Sequence, residues 1–361
     1  MIHSRVEVKP PETEVQPLQR ANYMKFTNFK DGKKEIHRIS KKGTSMGTCA
    51  TLNHKYLCCN VHVLRSLHNC PFECTYCFLQ NYLTDGATKI VDDAAHLMNE
   101  VKEWLQCEPS RLFRIGTWEL GDSLALEKKT GQAEKLIKAF AGLDNAVLEL
   151  KTKSDSVDSL LSLDHKGKTV ISWSLNTGDI IASEEHRTAP LKRRIAAMHK
   201  AAGAGYLIGL HFDPMIFHEG WEEGYAKLVS DIFKAVPADR IAWISIGSLR
   251  FNPEMKKKIE NNYPDSRLTS AEMVHGDDAK IRYVKPLRVA MYRFLYNELK
   301  KYVSESNLIY LCMERWDVWD KVFGSHPESV GHLDYLFAKS LYERFGLGAE
   351  HPKIERYLRN A

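Results

Sequence analysis

Three cysteines, Cys70, Cys74 and Cys77, fall inside eight residues of the stretch C-P-F-E-C-T-Y-C. Their C-x3-C-x2-C spacing is too tight for three independent positions on a helix or strand. On a loop it gathers three sulfurs around one point, as a metal ion or an iron–sulfur cluster requires. Three thiolates on a cubane of four irons leave one iron open to a substrate or cofactor. A structural zinc site that recruits Cys58, Cys59, His62 or His68 as fourth ligand is the alternative from the same residues. A disulfide pair fits less well, because the eight cysteines are unevenly spaced and no secretory leader is recognisable.

Such a loop needs elements that hold it. From about residue 57, apolar runs alternate with amphipathic stretches. The runs predict strands at Leu57–Leu64, Leu112–Trp118, Ala146–Lys151, Val170–Leu175, Tyr206–Phe212 and Ile241–Ile246. Asp92 and Asp93 can cap a helix with apolar Ala94, Ala95, Met98, Val101 and Leu105 at helical spacing. Further helices are expected at Gln132–Leu143, Val157–Leu163, Leu191–Ala202, Trp221–Ala235 and Arg282–Tyr302, and a last strand at Leu308–Met313. Repeated β-then-α units imply an α/β fold whose parallel sheet curls toward a barrel, here a partial (β/α)6 TIM-type barrel. The division expected is an irregular N-terminal arm over 1–50, the partial barrel over 51–265, and a mostly helical C-terminal α/β extension over 266–361.

In such barrels chemistry sits at the C-terminal ends of the strands. Read in order, those ends carry the cysteine loop, Glu119 with Asp122, Lys151 with Lys153, Ser174 with Asn176, His211 with Asp213, and Ser248 with Arg250. Each alone is weak, since strand ends meet solvent; their convergence on one rim is the signal.

Composition sets the class. Hydrophobic content of 43% and charged content of 27% are ordinary for a soluble globular protein. The first thirty residues are polar, and no stretch reaches the length of a membrane span, so a cytoplasmic protein without a membrane partner is expected. The net charge of +5 is a mild bias, concentrated at Lys25–Lys42, Lys192-Arg193-Arg194, Lys256-Lys257-Lys258 and Lys280–Arg288. Those groups suit phosphates, but for any single group a solvated helix face is the favoured reading.

With Tyr76 just before its last cysteine, the loop resembles the signature of radical S-adenosylmethionine enzymes. The longer set of matches resembles spore photoproduct lyase and its relatives, which repair a DNA photoproduct. It comprises C-P-F-E-C-T-Y-C-F-L-Q (70–80), Lys151, S-W-S-L-N (172–176), P-L-K-R-R-I-A-A-M-H-K-A-A-G-A-G-Y (190–206), H-E-G-W-E-E-G-Y (218–225) and N-N-Y-P (261–264). The resemblance runs from about residue 65 to 265, more loosely to about 315. It implies a radical S-adenosylmethionine core with a [4Fe–4S] cluster on Cys70, Cys74 and Cys77. It also implies Tyr76 in hydrogen-atom transfer and at the cofactor, S-adenosylmethionine contacts from Lys151 and Ser174, and Glu119 on the methionine ammonium. The substrate implied is a nucleic-acid base, in DNA, with carbon–carbon lyase chemistry and a reductase, flavodoxin or ferredoxin as electron donor.

Two positions depart from that family. Thr117 stands in the neighbourhood of its radical-quenching cysteine, and Phe78 replaces the tyrosine after the last cluster cysteine. Phe has no O–H and Thr no S–H to give, so the hydrogen-return chain is not preserved as written. Cys312 is a conceivable substitute thiol, although a small buried hydrophobe is the commoner role. The competing functions are radical chemistry on RNA, a peptide or a small molecule, and a zinc-stabilised binding protein without catalysis.

Overall fold

The computed structural model describes residues 36–40, 43–49, 55–83 and 86–358. Residues 1–35 of the expected arm, with most of the Lys25–Lys42 basic group, lie outside the described residues.

An eight-stranded sheet forms the body: β1 (Met46–Cys49), β2 (Val61–Leu64), β3 (Phe113–Gly116), β4 (Ala146–Thr152), β5 (Thr169–Ser174), β6 (Leu207–Met215), β7 (Ile241–Ser248) and β8 (Leu308–Leu311). From β2 to β8 each strand pairs in parallel with the next in the chain, and β1 is antiparallel to β2. This sequential parallel order is that of a barrel; among the described residues no ladder joins β1 to β8, and the sheet is a curled half-barrel. All residues of β5 and β7 are buried, as expected for strands covered on both faces.

The helices explain the outer cover. In α1 (Ala94–Gln106), Asp93 accepts from the His96 amide at 2.9 Å, the N-cap its position promised, and Leu97, Met98, Val101 and Leu105 form the buried stripe. Each such side chain stabilises the fold by roughly 1.5–3 kcal/mol. The series continues with α2 (Gln132–Phe140), α3 (Leu191–Gly203), α4 (Trp221–Ala235), α5 (Lys285–Lys300) and α6 (Val330–Phe345).

Several elements differ from the pattern reading. The run Leu57–Leu64 is broken because Asn60 takes a left-handed φ of 45°, leaving Tyr56–Leu57 to pair instead with Glu314–Arg315. The expected helix at Val157–Leu163 is one 3-10 turn, Asp158–Leu160. The expected helix Arg282–Tyr302 starts only at Lys285, with Pro286 in its first turn, because Ile281–Tyr283 pairs with Met273–His275 and Arg250–Phe251. Within 1–50, residues 36–39 and 46–49 are strands, and β8 carries the sheet past residue 265.

Candidate active site

The cysteine loop leaves β2 and is pinned by its own polar groups. The Cys70 amide donates to Asn69 Oδ1 at 2.8 Å, and the Cys77 amide to the Cys74 carbonyl at 3.0 Å. Gln80 Nε2 donates to the Cys74 carbonyl at 2.8 Å. Glu73–Cys74 pairs antiparallel with Glu185–His186, which ties the loop to the segment after β5. The three cysteines open onto a cavity of about 820 Å³, and Tyr76, Glu119, Lys151 and Ser174 line the same wall. These seven residues therefore meet at one place, whereas Asn176 and Ser248 of the expected rim are not in the cavity wall.

Burial pushes the Cys74 thiol up to about 12 and holds Cys70 well above its ordinary value. Bound metal reverses that balance by supplying the charge that keeps thiolates ionised. Three thiols on one loop beside open volume are a donor set that fits an iron–sulfur cluster, whose irons spread their ligands over the corners of a cubane. Among the described residues no three His, Cys, Asp or Glu side chains close around a single ion. His62, a fourth ligand in the zinc alternative, packs against Trp104 and Phe113 with ring centroids 5.7 and 5.1 Å away, outside the cavity wall.

At the strand ends, Arg65 Nε donates to Glu119 Oε2 at 3.0 Å, and Lys151 Nζ lies 4.4 Å from the centre of the Trp118 ring. A Cβ on Gly116 would come 2.5 Å from Trp118 Nε1, so glycine is what lets the indole fold back over β3. Asp122 also lines the cavity, but its oxygens accept from the Leu124, Ala125 and Lys153 amides and from Thr152 Oγ1. Its work is to tie the loop after β3 to the end of β4.

Below this rim lies a charged hub that pattern reading missed. Glu149, wholly buried, accepts from Arg114 Nε at 3.0 Å and Nη2 at 2.8 Å, Trp118 Nε1 at 3.0 Å, Ser172 Oγ at 2.8 Å and His211 Nε2 at 2.9 Å. Burial opposes its charge, yet Arg114 and the His211 hydrogen bond hold its carboxyl well below the usual range. His211 is pushed down to about 4 by burial and then by the charge of Lys151. The available signal was Glu149 itself, an acid in the apolar strand A-V-L-E-L-K-T two residues before Lys151 and so on the same face.

Tyr76 belongs to a second network. Its hydroxyl donates to Glu185, which also accepts from Asn176 Nδ2 at 3.0 Å and pairs with Arg194 at 2.7 Å. Tyr225 donates to Asn176 Oδ1 at 2.7 Å. Burial opposes the Glu185 charge, and Lys153 and Arg194 hold it as carboxylate.

The basic groups resolve mostly into internal partners. Arg194 is fully buried, Arg193 pairs with Asp155, and Arg250 forms a two-point pair with Asp213 at 2.8 and 3.1 Å. In the 280–288 run, Arg282 pairs with Asp278 at 2.6 Å, Lys285 with Asp317 at 2.7 Å and Arg288 with Glu314 at 2.7 Å. These cations brace loops through their acidic partners, while Arg193 and Lys285 stay partly exposed. Thr117 bonds Ser123 Oγ at 2.8 Å and is not part of the cavity wall. Phe78 and Tyr82 are exposed at the cavity, with ring centroids 6.3 Å apart. No helix of the described residues is long and apolar enough to cross a membrane.

A sequence model of the spore photoproduct lyase family matches residues 12–312. Spore photoproduct lyase of Bacillus subtilis (strain 168) is 31% identical over 219 residues, 59% of this chain and 62% of that protein. The Geobacillus sp. (strain Y412MC61) protein of the same name is 27% identical over 202 residues, 55% of this chain and 59% of its own length. The matched region thus spans about three fifths of these relatives. A solved spore photoproduct lyase complexed with dinucleoside spore photoproduct superposes with a TM-score of 0.67 at 21% identity, covering 76% of this chain and 82% of that one. A double mutant of spore photoproduct lyase with bound S-adenosylmethionine and the dinucleoside gives 0.64 at 24%, covering 69% and 76%. At these identities the superpositions establish the fold.

Proposed function

Because this chain belongs to the spore photoproduct lyase family, we propose that it is a radical S-adenosylmethionine enzyme acting as a carbon–carbon lyase on a nucleic-acid base, in repair of a DNA photoproduct. The observation that carries the reading is the single cavity at the strand ends, where Cys70, Cys74 and Cys77 meet Tyr76, Glu119, Lys151 and Ser174.

Cys70, Cys74 and Cys77 would hold a [4Fe–4S] cluster. Bound together, that cluster and S-adenosylmethionine supply a 5′-deoxyadenosyl radical that abstracts hydrogen. Glu119 offers its carboxylate to the methionine ammonium, with Arg65 fixing its orientation. Lys151 and Ser174 face the rest of the cofactor from neighbouring strand ends. Tyr76 passes a hydrogen atom, proton and electron together, and the Glu185 carboxylate that accepts its O–H holds the phenol in place. The walls exclude water from reactive carbon.

A lesion within duplex DNA must be flipped out to enter such a cavity, and the exposed Phe78 and Tyr82 rings at its mouth offer faces on which bases stack. A low-potential flavodoxin, ferredoxin or reductase is the electron donor, in the reducing cytoplasm that free cysteines suit. Phe78 and Thr117, neither able to return hydrogen as the family positions do, favour a second reading: the same radical chemistry on RNA, a peptide or a small molecule.

Anaerobic reconstitution followed by dithionite and S-adenosylmethionine is expected to yield 5′-deoxyadenosine, and Cys74→Ala to abolish it. A Cys74→Ala protein that still cleaves the cofactor overturns the loop assignment. Conversion of dinucleoside spore photoproduct, with a salt-dependent gel shift on damaged DNA, then decides the substrate. No conversion together with no DNA binding at low salt selects the second reading.

A further inference from the structure

His211, in β6, is part of the cavity wall although only 2% of the residue is exposed. Its two ring nitrogens have different surroundings. Nε2 lies 2.9 Å from Glu149 Oε1, which Ser172 Oγ also reaches at 2.8 Å. Nδ1 has no hydrogen-bond partner among the described residues. It is also not one of the unpartnered nitrogens sealed inside the protein, so it opens on the cavity.

Glu149 decides which nitrogen carries the hydrogen. Arg114 grips this carboxylate at 3.0 and 2.8 Å, so it is ionised and can only accept. Nε2 therefore carries the hydrogen and donates it. Trp243 Nε1, 3.4 Å from the same nitrogen, finds no lone pair there and remains a packing contact. The neutral ring then has its one lone pair on Nδ1. It stays neutral because burial, and then the charge of Lys151, push its pKa down to about 4. Tautomer and orientation are thus both fixed from behind.

Across the β5–β6 ladder His211 is in register with Ser174, and across β4–β5 Lys151 is in register with Ser172, so all four side chains share one face. That wall is rich in donors, with Lys151, Lys153, Arg250 and Lys280 on it. Of its carboxylates, Asp122 is taken by backbone amides, Asp213 by Arg250, and Glu119 is shared with Arg65. Nδ1 of His211 is an uncharged acceptor among them. A buried acceptor without a partner costs stability, which a donor on a ligand would offset.

We propose that His211 is a ligand-binding residue of the cavity, its Nδ1 accepting a hydrogen bond from an N–H or O–H of the bound molecule and rejecting molecules that present a carbonyl or a ring lone pair at that point. Two molecules can supply the donor. One is the adenosyl half of S-adenosylmethionine, through a ribose hydroxyl or the adenine amino group; the other is the base acted on, through a ring N–H. The identity of these molecules rests on the proposed function.

Two substitutions separate the nitrogens, because the Gln amide reaches the place of Nε2 and the Asn amide that of Nδ1. His211→Gln keeps a donor for Glu149 and is expected to melt with the wild type, whereas His211→Asn melts lower. Affinities are measured by calorimetry on the reconstituted, unreduced full chain, with S-adenosylmethionine and dinucleoside spore photoproduct as separate probes. His211→Gln is expected to bind one of them about 3–10-fold more weakly, the scale of one hydrogen bond, and His211→Asn to bind it more tightly than His211→Gln does. Loss toward S-adenosylmethionine assigns the donor to the cofactor, and loss toward the dinucleoside assigns it to the base. Affinities that instead follow the melting order limit His211 to holding Glu149 and overturn the proposal. So does unchanged affinity for every molecule the wild type binds, which leaves the proposed function standing; a wild type that binds neither overturns both. Should His211→Gln fail to fold, the wild type is probed from the ligand side. Removing the hydroxyl or amino group from S-adenosylmethionine, or methylating the ring nitrogen of the base, weakens binding by a similar factor, and no loss with any of these overturns the proposal.

Discussion

Glu149→Gln removes one negative charge from the hub while keeping its size. Glu149 is wholly buried and Arg114 nearly so, and the two share contacts at 3.0 and 2.8 Å. Gln retains one oxygen but turns the other into an NH2 group facing donors, and Arg114 keeps a buried charge without its counter-ion. One-sided removal from a buried pair costs about 3–5 kcal/mol. The faces of Trp243 and Phe337, each 4.4 Å from the guanidinium, are present in both forms and leave that difference unchanged. A loss of about 3–5 kcal/mol follows, or roughly 4–7 °C in Tm for a chain of 361 residues. Urea unfolding should show a lower midpoint at unchanged slope. Trp118 loses its anchor, so the S-adenosylmethionine affinity proposed to draw on Lys151, which lies over that ring, should fall as well. The double variant Arg114→Met/Glu149→Gln recovers part of the stability relative to the single variant, because no unpaired charge remains and the amide oxygen still accepts from the hub's other donors. A Gln variant within about 0.5 kcal/mol of wild type, or a double variant no more stable than the single, would refute the reasoning.

Tyr76→Phe should keep the cluster and 5′-deoxyadenosine formation while product turnover falls about 100-fold, the scale of a lost proton-transfer group; chromatography of both products checks it, and equal loss of the two counts against a transfer role. Arg65→Ala loosens the half-buried Glu119 and should weaken S-adenosylmethionine binding about threefold, measured by calorimetry, with an unchanged Kd refuting that link. Burial, then the Arg111 charge, lowers His62 to about 3. The unfolded chain therefore binds a proton that the folded one does not, and stability declines from about pH 6.5 towards 3 by up to about 1.4 kcal/mol per unit. His62→Phe should flatten the difference between urea midpoints at pH 7 and pH 5; an undiminished decline assigns the acid sensitivity elsewhere.

Much of the site was legible because its signals are local. Cysteines a few residues apart must share a loop, and strands that end in Glu119, Lys151 and Ser174 announce one rim once their order is parallel. Strand and helix positions followed from periodicity. They failed where one residue's backbone intervened: Asn60 in its left-handed turn, and the stretch before Pro286, drawn into a hairpin.

Partnership was a different matter. The sequence showed the sign of Arg194, Arg250 and Arg288 but not Glu185, Asp213 and Glu314, which bury and neutralise them. Glu149 meets Arg114 from 35 residues away and His211 from 62. The chain by itself determined the α/β alternation, the three-sulfur loop and the rim. Only tertiary structure decided which buried charges compensate one another and which nitrogen of His211 is left to the cavity, because both depend on strand register and closure. Those are set by packing over the whole sheet, and neighbours along the chain do not carry them.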